Sequence, residues 1–293
     1  MGRLAGGLLA CVAQGMTPGR QLGARLGRAA VLLYSKGCLS ISKGAAYSGF
    51  LALFPVLTTV ATLLVQAKAT PVLHLLSRFL GDVLPPGTEA MVLDRFVSSG
   101  QRPILLLVLV TLLAIYSASG LMMSLMEAFD RLYAVSSGRP FLKQRLMAAL
   151  LVVTAALPAI GASALIVTGT HTEQTIARWL QDYPEANPLT GGLLLLSQAL
   201  RYAVAFSAIV LATGLLFYLG PSSRHTWRAV WPGAWLSTFL WLGATTLFAW
   251  YVRNIASYNV LYGSIGAVIA LLVWMYLLAV IACYGCAFNA VKR

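Results

Sequence analysis

The chain has 293 residues, of which 59% are hydrophobic and 10% charged, and a net charge of +13. A soluble domain carries about 25% charged residues, and a soluble fold this apolar could not clothe its surface in polar groups. Strong basicity in a soluble protein would point to nucleic acid. Here Lys and Arg lie mostly between long apolar runs, so they read as topology signals and contacts to anionic lipid headgroups, with no nucleic-acid partner expected.

The chain opens with "MGRLAGGLLAC", a basic start and a short apolar run that loosely resembles a lipoprotein cleavage box at Cys11. Processing there would put residue 11 outside and invert every later span. The run is short for a signal sequence. Whether residues 1–15 belong to the mature protein stays open. Residues 20–36 read as an interfacial amphipathic helix, with Leu22, Leu26, Ala29 and Leu33 on one face, flanked by Arg25 and Arg28. Residues 1–43 are taken as a cytoplasmic segment.

Residues 44–293 then read as a membrane domain of six apolar spans, at about 44–66, 103–126, 145–168, 193–219, 229–252 and 261–290. Each meets the ~20 residues that a helix needs to cross a bilayer. The expected fold is all-α and polytopic. Pro55 and Pro158 fall inside spans 1 and 3 and predict kinks. The first outside loop, 67–102, is too long to be structureless. Apolar residues at 72, 76, 79 and 83, the Pro85–Pro86 stop and Thr88 as a cap predict a periplasmic helical hairpin. The second, "HTEQTIARWLQDYPEANPLTGG", predicts one short helix and a Pro-broken turn.

Fourteen basic residues fall on the side of the two termini, six fall in the opposite loops, and Arg201 lies within span 4. The positive-inside rule therefore puts both termini in the cytoplasm. Six of the eight acids fall on the outer side; Glu127 and Asp130 are the two inside.

Motifs for chemistry are sparse. His74, His171 and His225 have no zinc-ligand spacing, and no H-E-x-x-H, G-x-S-x-G or P-loop occurs. No catalytic residue, metal site or cofactor is assigned, and the chain is not read as an enzyme. Cys11, Cys38, Cys283 and Cys286 do not form a disulfide framework. Cys283-x-x-Cys286 lies late in an apolar helix, where Ala282, Cys286 and Ala290 read better as a small-residue packing stripe.

Arg201, in "SQALRYAVAF", sits about two turns inside span 4. An intramembrane Arg costs at least ~2.5 kcal/mol near the bilayer centre, so it must reach a partner, a wet cavity or the headgroups. Two readings stand: snorkelling to the outer surface, or anchoring an anionic group such as a lipid phosphate. Gln198, Tyr202, Asn254, Tyr258 and Asn259 share its depth and complete a candidate outer pocket for a ligand.

Four stretches carry a family resemblance: "AAYSGFLALFPVL", "IYSASGLMMSLMEAFDRLYAV", "RPFLKQRL" and "YNVLYGSIGAVIALLVWMYLLAVIACYGCAFNA". They resemble the YihY/BrkB family of bacterial inner-membrane proteins over about residues 25–291, most specifically through "YGSIGAVIALLVWMYL". The resemblance implies six spans with both termini inside and no settled biochemical activity. Members are linked to virulence and envelope integrity, lipid or lipid-precursor transport has been suggested for some, and the family has also carried the label ribonuclease BN. The chain departs from the family pattern at two places. Ala287 stands where Gly-Ala-Glu-Leu-Asn-Ala has its Glu, so no carboxylate there can handle protons or ions. Asp130 stands where Asn is common, so a pair of acids with Glu127 is not a family requirement.

Glu127 and Asp130 lie three apart at the end of span 2, with Arg131, Arg139 and Arg145 close behind in sequence. They read as structural ion pairs that fix the second-to-third connection, since a two-metal RNA-cleaving site needs more acids than these. The expected function is transport or handling of a lipid or other anionic envelope component, with membrane lipids, chiefly anionic ones, as partners. The alternative is a non-catalytic structural or assembly factor. Whether copies form a homo-oligomer, and what energy drives any transport, the sequence leaves open.

Overall fold

A computed structural model describes residues 18–66, 104–136, 138–158, 160–161, 189–223, 225–254 and 263–291. Among them the protein is all helix and turn, with no strand. The helices are α1 (Pro18–Ser35), α2 (Cys38–Gln66), α3 (Ile104–Leu132), α4 (Phe141–Pro158), α5 (Leu189–Leu219), α6 (Trp227–Asn254) and α7 (Gly263–Val291). The expected hairpin at 67–102, the helix in the second outside loop and the Cys11 region lie outside the described residues.

Four helices carry a stretch long and apolar enough to cross a membrane: Val108–Leu132, Phe141–Pro158, Leu195–Leu219 and Val268–Val291. α2 and α6 have the length, 29 and 28 residues, about 40 Å at 1.5 Å per residue. Ser, Thr, Gly and Trp dilute their apolar character. α2 runs on as helix through Pro55. The Thr58 and Thr59 hydroxyls donate to the carbonyls of Phe54 and Pro55, as Ser/Thr side chains do near a membrane Pro.

α7 sits at the centre, packed against α1, α2, α3 and α6; α2 lies along α3, and α5 along α6. α1 ends at Gly37, whose φ of +68° suits a residue without a Cβ and turns the chain sharply into α2. Ala29 and Leu33 of α1 are buried in the core, and the Tyr284 hydroxyl donates to the Leu26 carbonyl at 3.1 Å. Of the expected apolar face, Ala29 and Leu33 are thus docked on protein, Leu26 is half-buried and Leu22 stands exposed, as do Val31 and Tyr34 on other faces.

The core gathers at the end of the bundle where α1 lies. Cys38, Ala45, Met126, Ala128, Phe129, Leu151, Phe217, Val230, Ala234, Cys283, Cys286 and Ala287 are all buried there. At the far end the helices show large apolar side chains outward, among them Leu109, Leu112, Leu157, Leu195, Leu200 and Leu247. A soluble monomer rarely exposes apolar surface on this scale; a hydrocarbon solvent makes it the stable arrangement.

Candidate functional site

Arg201 stands on α5 at the far end and is 6% exposed. Ala205, one turn on, is buried beside it on the same face. The side chain therefore turns into the protein and does not lie along the lipid-facing surface. Its guanidinium carbon is 5.7 Å from the centre of the Tyr202 ring, at the outer limit of a cation–π contact. Tyr202 and Gln198 themselves are exposed. Asn254 is the last residue of α6; its side chain, and all of Tyr258 and Asn259, lie outside the described residues. The structure thus brings Arg201 and Tyr202 together and turns Gln198 outward.

Between the far ends of α6 and α7 runs a groove of about 410 Å³ walled by Leu247, Phe248, Trp250, Ile269 and Val273, among others, and by no charged residue. Phe248 stacks on Trp274 below it, with ring centres 6.4 Å apart.

The opposite end is tied shut by polar contacts. Asp130 accepts the Ser222 backbone N–H at 2.6 Å and the Ser222 hydroxyl at 2.7 Å. Arg139 donates to the carbonyls of Leu219, Gly220 and Pro221 at 2.9 to 3.1 Å. Those are the orphan acceptors where α5 stops, at the negative end of its dipole. The α3–α4 connection is so stapled to the α5–α6 connection. Phe129 packs edge-on against Phe217 immediately beneath, and a Cβ on Gly220 would press on Phe129 at 2.9 Å. The Ser223 hydroxyl and His225 Nε2 lie 2.9 Å apart, with the His225 ring against Tyr133.

The five residues read as ion pairs are therefore met differently from that expectation. Glu127 and Arg131 do pair, at 2.7 Å, as exposed i,i+4 neighbours. Such a pair contributes little. Asp130 is held by Ser222, Arg139 by carbonyls, and Arg145 by the Tyr116 carbonyl and the Met123 sulfur, both at 3.0 Å, with the Tyr116 ring 4.1 Å away. A helix end supplies more acceptors than a lone carboxylate, and this decides where Arg139 goes. Ser222 carried no signal in the sequence, because a Ser in a short connection is ordinary.

α6 and α7 meet backbone to backbone. A Cβ on Gly233 would strike the Gly285 carbonyl and Asn289; one on Gly285 would strike the Ser237 hydroxyl and lie 2.8 Å from the Gly233 carbonyl. Beside Pro232, which has no N–H to give the ladder of α6, the buried Asn289 bonds α6 from the neighbouring helix. Its Oδ1 accepts the Gly233 N–H at 2.8 Å and its Nδ2 donates to the Val230 carbonyl at 3.0 Å. Trp241 Nε1 donates to the Leu278 carbonyl, and Ser42 from α2 reaches Cys283. Asn289 was a legible clue: an amide in an apolar helix facing a Pro-Gly in its neighbour. The stripe read at Ala282, Cys286 and Ala290 has its first two members buried and its third half-buried. Ala287, where the family pattern has Glu, is fully buried.

Cys38, Cys283 and Cys286 are free and buried. Burial pushes the Cys38 thiol upward, against the pull of Arg131 and Lys36. Among the described residues no three His, Cys, Asp or Glu side chains gather as metal ligands would.

The chain is 30% identical over 177 residues to a ribonuclease-like protein, YfkH, of Bacillus subtilis, covering 60% of this chain and 62% of that one. It is 25% identical over 236 residues to a UPF0761 membrane protein of Neisseria meningitidis serogroup B, covering 79% and 54%. A UPF0761 membrane protein of Alkalilimnicola ehrlichii is 27% identical over 265 residues, covering 86% and 54%. The chain thus spans between half and two thirds of the length of these relatives. No solved structure matches it significantly. The family model for virulence factor BrkB matches residues 33–293, and this multi-pass helical membrane protein belongs to the virulence factor BrkB family.

Proposed function

We propose that the protein handles a lipid or another anionic envelope component in the inner membrane, without covalent chemistry. Six spans, α2 to α7, cross the bilayer, with α1 and both termini in the cytoplasm, following the distribution of Lys and Arg. The observation that carries the reading is Arg201. A guanidinium 6% exposed, in the outer half of a span and turned toward the bundle, is costly to place in hydrocarbon, and an intramembrane cation so placed supports a role in meeting an anionic group. The charge-free groove between α6 and α7 at the same depth offers room for an acyl chain.

Native mass spectrometry in mild detergent tests this. Arg201→Gln leaves insertion and folding intact and weakens retention of anionic lipid, and Arg201→Lys restores only part, because the planar fork is lost. Unchanged lipid retention in Arg201→Gln, or loss of the fold, would make Arg201 a structural residue.

A structural or assembly role is the second reading, and the close α6–α7 seam favours it, since helix contact accounts for Asn289 and both glycines. Ribonuclease activity is disfavoured. Glu127 is used by Arg131 and Asp130 by Ser222, which leaves too few acids inside for a two-metal site.

A further inference from the structure

We propose that the groove between α1, α6 and α7 is a seat for one anionic phospholipid of the cytoplasmic leaflet, separate from the outer region around Arg201. The groove has a volume of about 410 Å³ and is lined by Leu22, Arg25 and Leu26 of α1, Pro232 and Leu236 of α6, and Phe288 of α7. Five of the six are apolar. The one charge is a cation, on an exposed turn of α1.

A second cation stands one helical turn beyond the groove's lining on α6. Arg228 is in the first turn of α6, four residues before Pro232 and eight before Leu236, so the three lie on one stripe of that helix. Arg228 is exposed, on the side of Pro232 away from the bilayer centre. The mouth is thus basic and the depth apolar, which is the profile of a phospholipid: phosphate outside, chain within.

Among the described residues no acid is left to answer this charge. Glu127 and Asp130 are the only acids among the described residues. Arg131 occupies the first and Ser222 the second. Neither arginine of the groove therefore has a carboxylate to neutralise it there, and an arriving phosphate would. Near a bilayer surface each Arg attracts anionic lipid by about 1 kcal/mol, roughly five-fold in affinity.

The groove is also a fixed shape. The hydrogen bond from Tyr284 to the Leu26 carbonyl pins α1 on α7, and Asn289 holds the Pro232 region of α6 on α7. The groove between α6 and α7 at the far end has no charged lining and would accept any chain without preference for headgroup. The cationic rim makes the inner groove selective.

The proposal rests on the topology given above, in which α1 lies inside, and not on the role of Arg201. Native mass spectrometry of the full chain, with phosphatidylglycerol and phosphatidylethanolamine of matched chains, reads it. The protein should retain phosphatidylglycerol preferentially. Arg25→Gln with Arg228→Gln should lower that preference at least five-fold, with melting temperature checked as evidence of folding. Leu236→Trp, which fills the groove and keeps both arginines, should also lower phosphatidylglycerol retention, and it decides the matter if the double variant does not fold. Inorganic phosphate in excess should fail to displace the lipid. Unchanged preference in the folded double variant, or in Leu236→Trp, overturns the proposal; so does full displacement by phosphate, which would mark a simple anion site. Arg201→Gln separates the two sites. Loss there with none in the double variant rejects the inner seat and keeps the outer one, and the reverse keeps the inner seat alone.

Discussion

The two ends of the bundle are built on different physics. At the α1 end, backbones touch at Gly233 and Gly285, Asn289 bridges two helices, and Asp130 and Arg139 staple two connections. Toward the far end burial thins. Among the described residues the last buried one on α6 is Thr238, and on α7 none between 268 and 278 is buried. Polar groups at the first end are spent on one another. At the second, α5 buries an Arg and an apolar groove runs between α6 and α7. In a membrane the apolar effect between helices is absent, so close packing and hydrogen bonds must hold a bundle together. The end that holds those bonds is the anchor of the bundle.

The strongest test is one substitution made twice. Gly285→Ala puts a methyl group against Ser237 and the Gly233 carbonyl, which are backbone or fully buried. It should destabilise by about 3 kcal/mol, as overpacking does. Gly243→Ala, on α6 toward the far end, meets nothing within 4 Å. It should stabilise by about 0.5 to 1 kcal/mol, because Gly is a poor helix former. Thermal unfolding in detergent reads both, and a loss of equal size at the two sites would erase the contrast.

A smaller effect sharpens it. Asp130→Ala leaves the Ser222 N–H without its acceptor and should cost about 2 kcal/mol. The buried thiols at that end are its reporters: alkylation of Cys38, Cys283 and Cys286 should quicken in the variant and stay slow in the parent. Equal rates would mean that the staple does not keep this end closed.

The smallest change runs the other way. α3 ends with Val135 N–H on the Asp130 carbonyl and Ala134 N–H on the Arg131 carbonyl, a Schellman turn with Ala134 at φ 50°. A side chain in that left-handed conformation costs about 1 kcal/mol, so Ala134→Gly should raise stability by up to that amount.

Much of the helical fold was legible because apolar runs of this length have one stable form in a bilayer. Where α1 packs was less so. Its periodic face announces burial against something, and periodicity alone does not distinguish lipid from α7. The position of Arg201 within a span could be read from its surroundings, whereas its turn into the protein instead of out to the headgroups could not, because a helix in an apolar span lacks the polar face that would orient it. Asp130 and Arg139 drew attention as charges near other charges. Their true partners, a serine and three carbonyls, are contributed by chain some 80 to 90 residues later, and sequence proximity does not reach that far.

The central place of α7 bears on how the protein is made. Of the described helices it leaves the ribosome last, yet α1, α2, α3 and α6 all lean on it. The earlier segments must therefore wait in the membrane with Ser42, Ser237 and the Gly233 N–H facing lipid or one another. Their proper mates, Cys283, the Ile281 carbonyl and Asn289, arrive together with the final segment. Synthesis interrupted before α7 would leave an inserted but unassembled chain, with polar groups bare in hydrocarbon. Membrane quality control would have a long interval in which to find it.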